Sequence, residues 1–260
     1  MASFIPLNKT EHLNKGWQRT TGLAFAKSET TVPVLIDEIP HLVTTMPIVF
    51  TRSEAAEHFE LRALLSLQAG KNAFVSADGK WLIGYIPAEY RSYPFKAFSR
   101  SDSDRLTLCF NTDSGLMTDT PTSDSERFFD GNGEPTQFIS NIITFLEKCE
   151  RNRQFTQLAV DTLAKHKLLK PFKVALNDEA PTTLAGIYTI DEAAMRALSP
   201  DALAELNKAN SLALAYAQLM SQHRLENFSK LDQLHELPTA AGEPNISGIL
   251  SSNDGTLSFD

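Results

Sequence analysis

Hydrophobic positions follow two periods along the chain: short alternating or continuous runs before residue 136, and three-and-four spacing after it. Residues 32–50 hold two β-branched runs, VPVLI and PIVF, punctuated by Pro33, Pro40 and Pro47, which predict two short strands. Ser53 ahead of EAAEHF predicts an N-capped helical turn or two. An apolar run at 61–67 leads through a turn at Gly70, Lys71 and Asn72 to a short strand, AFVS. The Ala77-Asp78-Gly79-Lys80 segment then reads as an Asp-Gly hairpin turn, with 81–86 returning as the partner strand. Pro87 opens a short helical turn and Pro94 stops it. RLTLCF at 105–110 alternates like a half-buried strand. Residues 1–30 are polar and mixed, with Trp17 as their aromatic anchor.

Residues 115–135, rich in Ser, Thr, Asp, Gly and Pro, predict a long surface loop with Phe128 and Phe129 tucked inward. Phe138, Ile142, Phe145, Leu146 and Cys149 then recur at helical spacing. The pattern continues through Phe155, Leu158, Leu163 and Leu168 until Pro171, with a break expected between Glu150 and Gln154. Residues 172–176 and 184–190 predict two strands around a polar turn. Asp191 and the Ser199-Pro200 pair each start a helix. The Ala- and Leu-rich stretch 211–234 predicts a helix, although Leu212, Leu214 and Tyr216 alternate with alanines as a strand would. Strands first and helices second predict an α+β fold, an antiparallel β-rich N-terminal half packed with a mainly helical C-terminal half. One domain is expected over 1–237. Residues 238–260, with acids and no Lys or Arg, are expected to form an acidic, mobile tail, DGTLSF being a candidate edge strand.

Composition narrows the function classes. A chain of 260 residues with 42% hydrophobic and 22% charged residues folds without staples, which excludes a disordered chain or a disulfide scaffold. The net charge of −8 repels phosphate backbones and anionic lipid, so no nucleic-acid partner is expected. Cys109 and Cys149 lie in different predicted elements, too few and too separate for a redox motif, and are expected as buried free thiols. The N-terminal residues lack the apolar run of a secretory signal, and no stretch reaches the ~20 apolar residues that span a bilayer. No integral membrane segment and a cytoplasmic location are therefore expected.

Residues 72–95 concentrate six aromatics and one arginine in 24 positions. Trp81, Tyr85, Tyr90, Arg91, Tyr93 and Phe95 are the candidate binding residues: Tyr and Trp supply stacking area with a polar tip, and Arg91 supplies a flat fork for a carboxylate or an aromatic face. The competing reading is a hairpin core in which Trp81 and Tyr85 share a sheet face and Arg91 pins the turn to a buried acid. A peptide or protein partner suits such a surface better than nucleic acid. The Asp130-Gly-Asn-Gly-Glu134 run fails as a calcium loop, because Pro135 stands at the sixth position and Asn141 at the twelfth; it reads as a turn before the helix. His58 with Glu54 has helical ligand spacing, but one pair makes no metal site, and neither a metal nor a cofactor is expected. His41 and His223 stand alone. No nucleophile elbow, Walker loop or dinucleotide fingerprint occurs.

The runs HLVTTMPIVF, NAFV with DGKWLIGYIPAEYRSYPF, LCFNTDSGLM with RFFDGNGEPT, and LAGIYTIDEAAMRAL, in that order and spacing, resemble the bacterial SapC family over most of residues 30–235. YIPAEYRSYPF is the most specific of these pieces. The resemblance implies an association with paracrystalline surface layers, and neighbours resembling flavin-dependent halogenases, cupin-type proteins and TonB-dependent receptors. It carries over no catalytic residue. The resulting expectation is a non-catalytic accessory or peptide-binding protein serving a surface-layer or envelope system. Two rivals stand beside it. One is a signature-less enzyme acting on a peptide or aromatic substrate, with Arg91, His41 and Asp113 as carrier groups. The other is a structural surface-layer component, against which the missing signal counts.

Overall fold

The computed structural model describes residues 3–20, 22–52, 58–100, 103–174 and 182–236. The strands are β1 (Phe4–Pro6), β2 (Gly16–Gln18), β3 (Thr31–Pro33), β4 (Ile48–Arg52), β5 (Phe59–Leu64), β6 (Phe95–Arg100), β7 (Ser103–Asn111), β8 (Met117–Thr118), β9 (Ser125–Arg127), β10 (Leu169–Val174) and β11 (Thr182–Ile190). The helices are α1 (Lys9–His12), α2 (Ile39–Leu42), α3 (Ala88–Arg91), α4 (Gln137–Lys165), α5 (Glu192–Arg196), α6 (Pro200–Lys208), α7 (Ser211–Ser221) and α8 (Asn227–Glu236). All described sheets pair antiparallel, and the fold is α+β. The chain forms two compact units, one from Met1–Phe25 and Tyr90–Arg151, the other from Ala26–Glu89 and Asn152–Thr239. The predicted capped turn at Ser53 and the acidic tail lie outside the described residues.

The first unit holds two three-stranded sheets, ordered β1-β7-β6 and β8-β2-β9. Its core is aromatic: Trp17, Phe95, Phe110, Phe128 and Phe129 pack with Ile139 and Leu146. Phe95 takes the edges of Trp17 and Phe110 at 5.0 and 5.2 Å, the geometry that the quadrupoles of aromatic rings favour. Phe128 and Phe129 point inward as expected, but the stretch around them is no simple loop, because β8 and β9 flank β2 there. The β6–β7 hairpin, from Phe95↔Phe110 to Arg100↔Ser103, contains a strand the pattern missed: FKAFSR begins straight after Pro94 and is only six residues long.

The second unit is built on a five-stranded sheet, β10-β11-β4-β5-β3. The predicted strand VPVLI is shorter than expected, since β3 ends at Pro33 and the chain coils into a 3-10 turn at Ile36–Glu38. The expected hairpin of AFVS and 81–86 keeps its turn and loses its strands. Gly79 supplies the positive φ of 88°, and Ser76 N–H donates to the Lys80 carbonyl at 2.9 Å, yet Val75↔Trp81 is an isolated bridge. Trp81 turns instead to lie flat against Phe74, and Leu82 N–H donates to the Phe74 carbonyl.

Helix α4 runs unbroken for 29 residues, so the break expected between Glu150 and Gln154 does not occur. The apolar period falters there because the buried positions are polar and occupied. Asn152 Oδ1 accepts from Asp37 N–H at 3.3 Å, and Thr156 Oγ1 accepts from Ile36 N–H at 2.9 Å, satisfying donors of the 3-10 turn. The helix ends with Lys167 at φ 56°, Leu168 N–H bonding the Leu163 carbonyl and Lys167 N–H the Ala164 carbonyl, a Schellman close. Asp191 and Ser199 cap α5 and α6 as predicted. The stretch 211–234 is helical, with a 3-10 segment joining α7 to α8.

Helix α7 is keyed to the sheet by one side-chain amide and one hydroxyl. β11 and β4 pair only at Ile187↔Thr51 and Tyr188↔Phe50. In the same register Ile190 would face Ile48, and there the fully buried Gln218 stands between them. Its Oε1 accepts from Ile190 N–H at 3.1 Å, and its Nε2 donates to the Ile48 carbonyl at 3.1 Å. Ser221 Oγ accepts the Ile48 N–H at 2.9 Å. The amide thus replaces a missing ladder rung.

Candidate functional site

The six candidate residues divide between the two units. Trp81 and Tyr85 belong to the second. Trp81 is a core residue, its ring 5.2 Å from Phe74, which in turn meets the edge of Phe228. Tyr85 is half-buried and stacks on His41, centroids 4.9 Å apart at 14°. In the same unit Gly84, at φ 74°, passes so close to Thr45 that an added Cβ would lie 2.6 Å from its Cγ2. The fully buried Glu38 carboxylate accepts from Leu35 N–H at 2.8 Å and Ala88 N–H at 2.7 Å, fixing the chain where the IPAEYR segment begins.

Tyr90, Arg91, Tyr93 and Phe95 belong to the first unit. Phe95 is almost fully buried in its aromatic core. Phe25, which no sequence signal singled out in its mixed polar surroundings, packs against the two tyrosines. It stacks face to face on Tyr93, with centroids at 3.6 Å and planes at 9°, and meets buried Tyr90 edge-on at 5.7 Å. The Arg91 guanidinium lies over Phe145, 5.1 Å from the ring centroid. Phe25, Arg91 and Tyr93 all stay partly open to solvent. Burial pushes the Tyr93 phenol above its ordinary pKa, and a hydrogen bond with Ser114 pulls the other way. Ser114 is itself held, its hydroxyl donating to the Asn111 carbonyl at 2.6 Å.

Other nominated groups are tied into local structure. Asp113 accepts from Ser3 N–H at 2.9 Å. His58 lies 3.5 Å from Glu60; its sequence partner Glu54 is outside the described residues. Asp130 closes its own turn, its Oδ1 accepting from Asn132 and Glu134 N–H groups, each at 2.9 Å. Arg91 and Asp113 fall in the first unit and His41 in the second. Cys109 and Cys149 are buried and not joined by a disulfide, and burial raises the Cys109 thiol pKa. Among the described residues no group of three or more His, Cys, Asp or Glu is placed to hold a metal ion, and no helix is long and apolar enough to cross a membrane.

The first unit thus holds a stacked phenylalanine and tyrosine, a hydroxyl at the tyrosine tip, and a guanidinium laid on a ring. The SapC family model matches residues 7–228, and the chain belongs to the SapC family. No curated protein and no solved structure matches it.

Proposed function

We propose that this SapC-family chain is a non-catalytic accessory protein, working in the cytoplasm, that binds a peptide or protein partner of a bacterial surface-layer or envelope system. The observation that supports the reading is the part-exposed Phe25–Tyr93 stack in the same unit as the Arg91 guanidinium. Two flat faces and a fixed cation suit a partner segment carrying an aromatic or proline ring and a carboxylate. Of the six residues first nominated, Arg91 and Tyr93 are the contact residues in this reading. Trp81, Tyr90 and Phe95 are core residues, whose exchange would test folding instead.

Affinity capture of the tagged chain from its own host, with cytosol and envelope processed separately, tests the proposal. A specific protein should be recovered with the wild type. Arg91→Ala should reduce its recovery at least tenfold and Tyr93→Phe more mildly, with both melting temperatures close to wild type. Equal recovery by wild type and Arg91→Ala would remove this surface from consideration. Recovery of the chain alone from both fractions would remove the accessory role.

A further inference from the structure

Helix α4 carries a stripe of exposed side chains. Glu147, Arg151, Gln154, Leu158, Asp161 and Lys165 follow one another at intervals of four, three, four, three and four residues, and all six are exposed. That spacing keeps one seam of a helix facing a single neighbouring helix. Leu158, 56% exposed, lies at the middle of the seam, and Phe155, 65% exposed, stands beside it. Exposed apolar side chains of this size on consecutive turns are a contact surface in want of a partner. Arg151 makes no ion pair among the described residues, Asp161 accepts from Gln157 on its own helix, and Lys165 reaches Glu205.

The order of charges along the seam says what that partner is. From Glu147 to Lys165 it runs negative, positive, apolar centre, negative, positive. Against a parallel copy every charge would meet its like. Reversed, the same order becomes its own complement: Arg151 meets Asp161 of the second copy, Glu147 meets Lys165, and Gln154 meets Leu158, with Phe155 closing over the centre. We propose that this face of α4 is a self-association surface, joining two copies of the chain about a two-fold axis through an antiparallel helix pair. A −8 chain meets its own copy against net repulsion, so a locally neutral, self-complementary stripe is the kind of place where contact is favourable.

The contact is small. The seam spans about 27 Å of helix, and one such pair buries well under the ~800 Å² per partner of a standard stable interface. A dissociation constant between about 1 µM and about 1 mM is expected.

Sedimentation of the full chain over a concentration series covering that range tests the proposal. The wild type should pass from monomer to dimer. Leu158→Glu should leave it monomeric throughout, with an unchanged melting temperature because the position is exposed. Arg151→Asp and Asp161→Arg should each weaken the dimer about tenfold, since symmetry converts two attractions into two repulsions. The double exchange Arg151→Asp with Asp161→Arg should restore it. A wild type that stays monomeric overturns the proposal and leaves the face to a different partner. A dimer indifferent to Leu158→Glu, or single-exchange losses that the double exchange does not recover, overturns it equally.

Discussion

Replacing Gln218 by methionine keeps the length of the side chain and removes both polar ends of its amide. Two backbone groups then lose their partner inside the second unit: the Ile190 N–H, which donated to Oε1, and the Ile48 carbonyl, which accepted from Nε2. Thr189 loses a 3.2 Å bond from its hydroxyl, but still accepts from Gln222 Nε2 at 2.8 Å. Each stranded buried group costs about 1–3 kcal/mol, and a methionine of similar volume leaves no cavity to add to that. A loss of about 2–5 kcal/mol follows. At roughly 2–4 °C per kcal/mol for a chain of this size, the melting transition should fall by about 5–15 °C. Urea unfolding followed by far-UV circular dichroism, with Gln222→Ala as the milder neighbour, measures it. Gln218→Glu adds a sign test. Its carboxylate can still accept from Ile190 but opposes the Ile48 carbonyl, so that variant should regain stability as pH falls and the acid becomes a donor. A change below about 0.5 kcal/mol for Gln218→Met, the range of ordinary surface substitutions, would refute the idea that the amide stands in for a ladder rung.

Two further outcomes follow from the same structure. Thr156→Val should destabilise the second unit by about 1–3 kcal/mol, because the Ile36 N–H loses its acceptor, while Gln154→Ala on the exposed side of the same helix should be nearly neutral; equal effects in chemical denaturation would discard the docking role given to Thr156. Glu205 is held below its ordinary pKa of 4.5 by hydrogen bonds from Lys165 and His166. The unfolded chain therefore binds its proton first as pH falls, and the stabilisation present above about pH 4.5 is lost on going lower; Glu205→Gln should flatten that acid limb of the stability curve, and an unchanged limb would show that the carboxylate contributes nothing there.

Local chemistry made a large part of the fold legible. The helix starts at Asp191 and Ser199-Pro200 were readable because a capping oxygen and a proline act within one turn of themselves. The inward Phe128 and Phe129 and the presence of a strand at 105–110 were readable because apolar side chains must leave water wherever they occur, although the burial of β7 does not alternate: Cys109, Phe110 and Asn111 are all buried. Two misreadings have different causes. The four-residue polar interval from Arg151 suggested a break in α4, where the distant donors of Ile36 and Asp37 decide. The AFVS and 81–86 segments suggested strands, where a local contact decides, the ring of Trp81 lying on Phe74 seven positions before it. The aromatic-rich segment was visible as composition, but three of its six candidate residues, Trp81, Tyr90 and Phe95, are buried, and Phe25, which stacks on Tyr93, lies 68 positions earlier.

The sequence by itself determined the α+β class, the family, the helix caps at Asp191 and Ser199 and the absence of common cofactor motifs, since these rest on residue type and short-range spacing. Only the tertiary structure decided which aromatics are core and which are surface, how Gln218 completes a sheet that its own strands leave open, and that the charges of α4 stand on one uncovered seam. Those depend on which side of an element the rest of the chain covers, and that is set by the long-range packing of the whole chain.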